Sequence, residues 1–316
     1  MISQKLTRLL CTVLICALPL PALCQSFPSL AKTIELARSE AYRTKHVDWP
    51  AVEAQSLEEA RKNGEESAIR LVLKSLGDTH SSYRALSSPQ QQSNSSPRPR
   101  IEIAELKFVN EMPVVRINAW SGSPQEANDA AATVRALIAK SLENQSCGIV
   151  LDFSTNHGGN MWPMVVGLSP LYTNGTLGFF RDRNGNDQLI EKRNGFVYLD
   201  ERPHYLNYST DQQPNNLAQR IGIVIGPRTA SSGEITAILF HAQPNTKFFG
   251  KDSSGYSTAN RTFKLANGGT VAITTGTTLD RNQQEYGGKI IPDVITQLGL
   301  EDAAKWVQSG CTGSGL

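Results

Sequence analysis

Cysteine is scarce in this chain, and no two cysteines are placed to hold a metal. The 316 residues contain five, Cys11, Cys16, Cys24, Cys147 and Cys311, with no CxxC pair and no Cys/His cluster. That spacing argues against structural zinc sites and dithiol redox motifs, so no metal and no cofactor is expected. An excess of charge of one sign is also lacking, because 31 basic residues face 29 acidic ones for a formal net charge of +2. Such balance argues against nucleic acid or an anionic membrane as a main partner. Beyond the N-terminus, no apolar run reaches the roughly 18 residues that a membrane span requires.

The N-terminus itself is patterned for export. MISQKLTR carries two cations, LLCTVLICALPLPAL is apolar but interrupted by prolines, and Ala22-Leu23-Cys24 provides a cleavage-type ending. The pattern predicts a signal peptide over residues 1–24, cut before Gln25, and a periplasmic or secreted protein. Acylation of Cys24 is the minor alternative, disfavoured by Leu23 just before it. Removal of this segment takes Lys5 and Arg8 with it, leaving a mature chain near neutrality. Cys147 and Cys311 then remain, and an oxidising compartment allows them to pair. Whether they lie close enough is open from the sequence, as is the oligomeric state.

Residues 25–86 read as a helical region, since apolar residues recur three and four apart in FPSLAKTIELARSEAYRTKHVDW and again in SLEEARKNGEESAIRLVLKSLG. Residues 87–100 (SSPQQQSNSSPRPR) are polar and aperiodic, which predicts a linker. From 101 to 316 strands and helices alternate. IEIAELKF and PVVRINAW read as strands, SPQEANDAAATVRALIAKSL as a helix, CGIVLDF and IGIVIG as buried strands, and a hairpin is expected at Asn184-Gly185. The fold class implied is α/β, with helices on sheet faces.

Two strand ends carry the chemistry. IGIVIGPRTA runs into SSGEITAILFHA, which sets Ser231 at a strand-to-helix corner. Ser231 and Glu234 also have the spacing of an ordinary capping box. A hydroxyl at that corner nevertheless stands beside backbone N–H groups that have no intrahelical acceptor and can hold an oxyanion. The second end, STNHGGN, contains Gly158 and Gly159, which let backbone approach a ligand. The same residues also suit a plain tight turn. A serine nucleophile needs a base, and the five histidines offer two candidates. His157 sits inside the glycine turn, and His80 lies among small polar residues in LGDTHSSY. On the residues alone both stay open, with His46 and His204 read as surface residues and His241 as a helix C-terminal partner.

The segments LGDTHSSY, LDFSTNHGGNMWP, GPRTASSGE and YGGKIIPDV occur in an order that resembles family forty-one serine peptidases, the tail-specific and tricorn core proteases, over about residues 66–298. The resemblance implies a crotonase/ClpP-like superhelical core of repeated ββα units behind a helical N-terminal region. It also implies Ser231 as nucleophile, and Gly158 or Gly159 with Ser232 as oxyanion donors. Asn156, His157 and Trp162 become candidate substrate contacts, and the substrate a peptide or unfolded protein tail. In the tail-specific branch the base is a Lys, but Tyr256 stands at that position and Lys251 lies five residues early. The tricorn-like branch uses a His in a motif that Asp78-Thr79-His80 resembles, with Thr79 as an orienting residue and Glu285 near the place of a supporting carboxylate. Ser154 and His157 replace residues usual in the glycine turn, and too few residues separate the first two motifs for an inserted peptide-binding domain. A relative that keeps the fold but binds apolar ligands, like the retinoid-binding modules, is the alternative.

Overall fold

The computed structural model describes residues 26–86, 102–143, 147–204 and 220–311. The expected signal peptide, Cys24 and the linker lie outside the described residues. Helices α1 (Pro28–Glu40), α2 (Trp49–Asn63) and α3 (Glu65–Ser75) form the N-terminal region. Asp48 caps α2 by accepting from the Ala51 N–H. The pattern read as one continuous helix is broken at Gly64, whose φ of +91° ends α2 and opens α3. The apolar faces of these helices (Leu30, Ile34, Ile69, Val72, Leu73) bury Val271, Ile273 and Tyr83 beneath them.

Those last residues belong to a seven-stranded sheet. Its strands are β1 (Ser82–Arg84), β5 (Gly175–Asp182), β6 (Asp187–Arg193), β7 (Phe196–Leu199), β8 (Arg202–Pro203), β11 (Thr258–Lys264) and β12 (Thr270–Asp280). The path is β1-β12-β5-β6-β7-β8, with β11 also paired to β12, and every pairing is antiparallel. The hairpin expected at Asn184-Gly185 joins β5 and β6, with Arg181 opposite Asp187.

The second sheet has six strands: β2 (Ala104–Val109), β3 (Met112–Ile117), β4 (Gly148–Asp152), β9 (Arg220–Ile225), β10 (Thr246–Gly250) and β13 (Val294–Ile295). Its order is β13-β10-β9-β4-β3-β2, parallel except for β2. β4 and β9 are buried along nearly their whole length, as their unbroken apolar runs require of central parallel strands. Helices α4 (Pro124–Leu142), α5 (Met161–Gly167) and α6 (Ser232–Ile238) share the main core with this sheet. Helix α7 (Gly299–Gln308), which the sequence reading did not assign, covers the other face through Ala303, Ala304 and Val307. Cys147, at the entry to β4, is disulfide-bonded to Cys311 just past α7. The pairing that the sequence left open is therefore made. The architecture is a mixed α/β fold with two sheets and seven helices among the described residues.

Candidate active site

Strands β4 and β9 are adjacent and parallel, so the turns that follow them emerge side by side. Thr229 staples them: its hydroxyl accepts from Gly226 N–H at 2.9 Å and donates to the Phe153 carbonyl at 2.9 Å. The Ala230 N–H donates to the Asn156 carbonyl at 2.9 Å. Two glycines allow the interlock. A Cβ on Gly233 would lie 2.5 Å from the Asn156 carbonyl oxygen, and one on Gly158 would lie 2.8 Å from Ser231 Cβ.

Ser231 sits at this contact with φ +52° and ψ −122°, a conformation rarely adopted by residues with a Cβ. Strain of this kind, of order 1–3 kcal/mol, persists only where neighbours over-determine it. Here the Ser231 N–H donates to Glu234 Oε2 at 2.9 Å. Glu234 is fully buried and also accepts from Ser253 Oγ, Gly255 N–H and Tyr256 N–H. Burial raises its pKa above the ordinary carboxylate value, and the hydrogen bonds offset only part of that. Every group facing it is a donor, so we read it as a carboxylate.

The imidazole of His80 arrives from the other sheet. Its Nε2 lies 3.0 Å from Ser231 Oγ, and its Nδ1 lies 2.6 Å from Thr258 Oγ1. The turn carrying it is held by Asp78, whose carboxylate accepts from the N–H groups of His80 and Ser81 and from the hydroxyls of Ser81 and Thr274. Burial lowers the His80 pKa below the ordinary imidazole value, and the Asp78 charge partly offsets that. A half-buried, neutral imidazole with a serine hydroxyl in reach is the form that can take a proton.

Among the described residues, the amides of Gly159 and Ser232 have no intramolecular acceptor, whereas the Gly158 N–H donates to Asn156 Oδ1 at 3.0 Å. The Ser232 hydroxyl donates to the Gly159 carbonyl at 2.6 Å, which ties the two free amides together. Hydroxyl, imidazole and paired N–H groups together can carry attack of an alcohol on an acyl carbon.

Several expectations fall elsewhere. Glu285 accepts from the Tyr42 hydroxyl at 3.2 Å and is not a partner of His80. Its proximity in sequence to YGGKIIPDV misled, because the hydrogen bond at Nδ1 comes from Thr258 instead. Thr79 is exposed and makes no hydrogen bond among the described residues, and the ring nitrogens of His80 meet Thr258 and Ser231 instead. Asn156 is fully buried, with Oδ1 on Gly158 N–H and Nδ2 on Met164 Sδ at 3.4 Å, so it shapes the turn and is not open to substrate. His157 is exposed and makes no contact with Ser231. His204, expected at the surface, stacks on Trp162 with ring centroids 3.6 Å apart, and His241 pairs with Asp280 at 3.1 Å beyond the end of α6. Tyr256 stands beside the His80 ring, centroids 5.3 Å apart. Thr258 is not among the sequence candidates, because a threonine at the start of a strand carries no signal of its own.

Ser231 and Ser232 open onto a crevice of about 1070 Å3. Its apolar lining comes from Met161, Trp162, Phe180, Leu199 and Ile235, and much of its polar lining from residues of β11 and the β5–β6 hairpin. No group of three or more His, Cys, Asp or Glu suited to a metal occurs among the described residues.

A mixed α/β fold with a serine–imidazole pair at a strand-to-helix corner is an architecture shared by hydrolases that work through a serine. Residues 111–296 match the sequence profile of Peptidase family S41, well over half of the chain, and the protein belongs to that family. It is 34% identical over 199 residues to a nisin-resistance protein from Lactococcus lactis subsp. lactis, an alignment covering 62% of this chain and 60% of that protein. The fold matches a lipoprotein from Streptococcus agalactiae with a TM-score of 0.75 at 25% identity, over 90% of this chain and 96% of the other. It also matches a photosystem II D1 C-terminal processing protease with a TM-score of 0.57 at 12% identity, over 85% and 92%. No helix among the described residues is long and apolar enough to cross a membrane.

Proposed function

We propose that this protein is an exported serine endopeptidase acting on peptides or protein tails, with Ser231 as nucleophile and His80 as base. The observation that carries the reading is the 3.0 Å approach of His80 Nε2 to Ser231 Oγ. The hydroxyl proton passes to Nε2 as Oγ attacks the scissile carbonyl. The oxyanion is held by the N–H groups of Gly159 and Ser232, and the imidazolium returns the proton to the leaving amine. Family membership supports peptide-bond chemistry. The apolar lining of the crevice supports recognition of an apolar side chain beside the scissile bond. We also infer the boundaries expected from the sequence, with a signal peptide over 1–24 and a crotonase/ClpP-like core from 101; the β3–α4–β4 and β9–α6–β10 units support the latter. The lipoprotein among the similar structures and the nisin-resistance relative support an envelope or secreted location.

The test uses a fluorophosphonate probe and a cleavage profile over a peptide library that includes nisin. Labelling and cleavage by the mature protein, both abolished in Ser231→Ala, are the expected results. A wild type that forms no adduct and cuts nothing, yet binds apolar ligands in the crevice, would overturn the reading in favour of a binding protein.

A further inference from the structure

A general-base histidine needs more than a nearby hydroxyl. For Nε2 to carry the lone pair, the proton must sit on Nδ1, and that N–H needs an acceptor held in the ring plane. In many serine hydrolases the acceptor is a carboxylate. Among the described residues, no carboxylate hydrogen-bonds to the His80 ring. The oxygens of Asp78 are taken by backbone and hydroxyl donors of its own turn and by Thr274, Glu285 receives the Tyr42 hydroxyl, and Glu234 is engaged behind the Ser231 backbone. The group at Nδ1 is the Thr258 hydroxyl, 2.6 Å away and almost fully buried.

Thr258 is itself held firmly. It opens β11 opposite Thr277, and the preceding Ser257 bonds the Gly288 carbonyl and the Gly287 N–H. Gly255 and Tyr256, just upstream, donate their N–H groups to the same Glu234 carboxylate that accepts from Ser231 N–H. A closed circuit results: Ser231 backbone, Glu234, the 255–258 segment, Thr258 hydroxyl, His80 ring and Ser231 hydroxyl. One buried carboxylate therefore sets the nucleophile and the support of its base in a common frame.

We propose that Thr258 is the positioning residue of this site, accepting from His80 Nδ1–H and so holding the imidazole in the tautomer and orientation that Ser231 requires. This rests on the serine-peptidase reading. A hydroxyl differs from a carboxylate in two ways. It stabilises the imidazolium less, because the bond lacks a second charge. It can also reverse, donating to Nδ1 and leaving the proton on Nε2, so the tautomer is favoured and not locked. The charged group acting on the ring is Asp78, without touching it, and Tyr256 faces the ring from the segment before β11.

The experiment compares Thr258→Val, which keeps the shape, with Thr258→Ser, which keeps the hydroxyl, in the mature chain. For Thr258→Val we expect fluorophosphonate labelling and kcat slower by about 10- to 100-fold with KM unchanged, a part of the roughly 10²- to 10⁴-fold that a general base contributes. The acid limb of its pH profile should move lower by roughly half to one unit, because the imidazolium loses an acceptor. Thr258→Ser should stay within a few-fold of wild type. Equal rates and equal pH midpoints in Thr258→Val and wild type would overturn the proposal, as would a Ser variant as slow as the Val variant with native circular dichroism. If Thr258→Val does not fold, Thr258→Ala takes its place with the same expectations. If the wild type proves unreactive, the peptidase reading fails separately. Nitrogen-15 NMR titration of the His80 ring then decides: a downward shift of its midpoint on removing the hydroxyl supports the contact, and an unchanged midpoint and tautomer overturn it.

Discussion

The two halves of the candidate site are built by different means. The nucleophile half, at the ends of β4 and β9, is defined by backbone: glycines that leave no room for a Cβ, carbonyls and amides in direct register, and a strained Ser231. The base half, on the seven-stranded sheet, is defined by side chains: one ring, one threonine hydroxyl and one aspartate that folds its own turn. Backbone geometry is stiff and tolerates few substitutions. Side-chain geometry leaves room for different residues to do the same work.

The sharpest way to break the comparison is at its junction. His80→Ala should lower kcat by about 10³-fold or more, since an unassisted serine hydroxyl is a poor nucleophile at neutral pH. The wild-type profile fixes the sign of the pH effect. On the proposed mechanism activity needs neutral His80, and burial lowers the His80 pKa, so activity should be retained as pH falls until below the ordinary imidazole value of about 6.5. An acid limb above that value would contradict the described surroundings of the ring. On the nucleophile half, Gly158→Ala tests stiffness. The new methyl meets Ser231 Cβ at 2.8 Å from a backbone with φ of +108°, so we expect a loss of order 10²-fold in kcat, as for a misplaced oxyanion donor or nucleophile. Near-normal activity would show this corner to be softer than its packing implies.

The same contrast governs what was legible in the sequence. Backbone-defined features leave marks: Gly158, Gly159 and Gly233 are required by close approach, and the apolar runs of β4 and β9 announce central strands. The strand-to-helix corner of Ser231 and the Gly158-Gly159 turn are legible from such marks together with the family resemblance, whereas the interlock through Gly233 is seen only in the structure. His80 was one of two candidates until the resemblance favoured it. Side-chain partners leave weaker marks. A threonine opening a strand is common, so Thr258 carries no signal in one sequence, and it meets His80 across 178 positions. Glu285 looked eligible because its segment matched, but matching segments do not aim a carboxylate. The helix break at Gly64 and the whole of α7 were missed for a different reason. Short amphipathic segments near breakers have no periodicity long enough to separate them from turns.

A smaller effect separates the halves by stability. The Cys147–Cys311 link closes 164 positions and ties α7 to the start of β4, beneath the nucleophile half. Removing a native disulfide from a small domain costs about 2–5 kcal/mol, so Cys311→Ser should lower the unfolding midpoint in urea measurably. At temperatures where the variant stays folded, kcat should remain within a few-fold of wild type, because neither Ser231 nor His80 touches the link. A selective loss of kcat without loss of stability would mean that α7 holds the corner in shape.

The smallest expected effect is the most discriminating for the base half. Among the described residues, Tyr42 is the side chain that donates to Glu285, at 3.2 Å, and the isosteric Glu285→Gln keeps an acceptor for that hydroxyl. Burial raises the Tyr42 pKa, and the nearby Glu285 charge raises it further, so the substitution should bring the Tyr42 titration closer to the ordinary phenol value. The His80 ring lies outside this pair, so kcat and the acid limb should not move beyond error. A hidden carboxylate relay would behave otherwise: removing its charge would lower kcat strongly and shift the acid limb down. Measuring the pH profile of Glu285→Gln beside that of Thr258→Val therefore tells a base supported by a hydroxyl from one supported by a distant carboxylate.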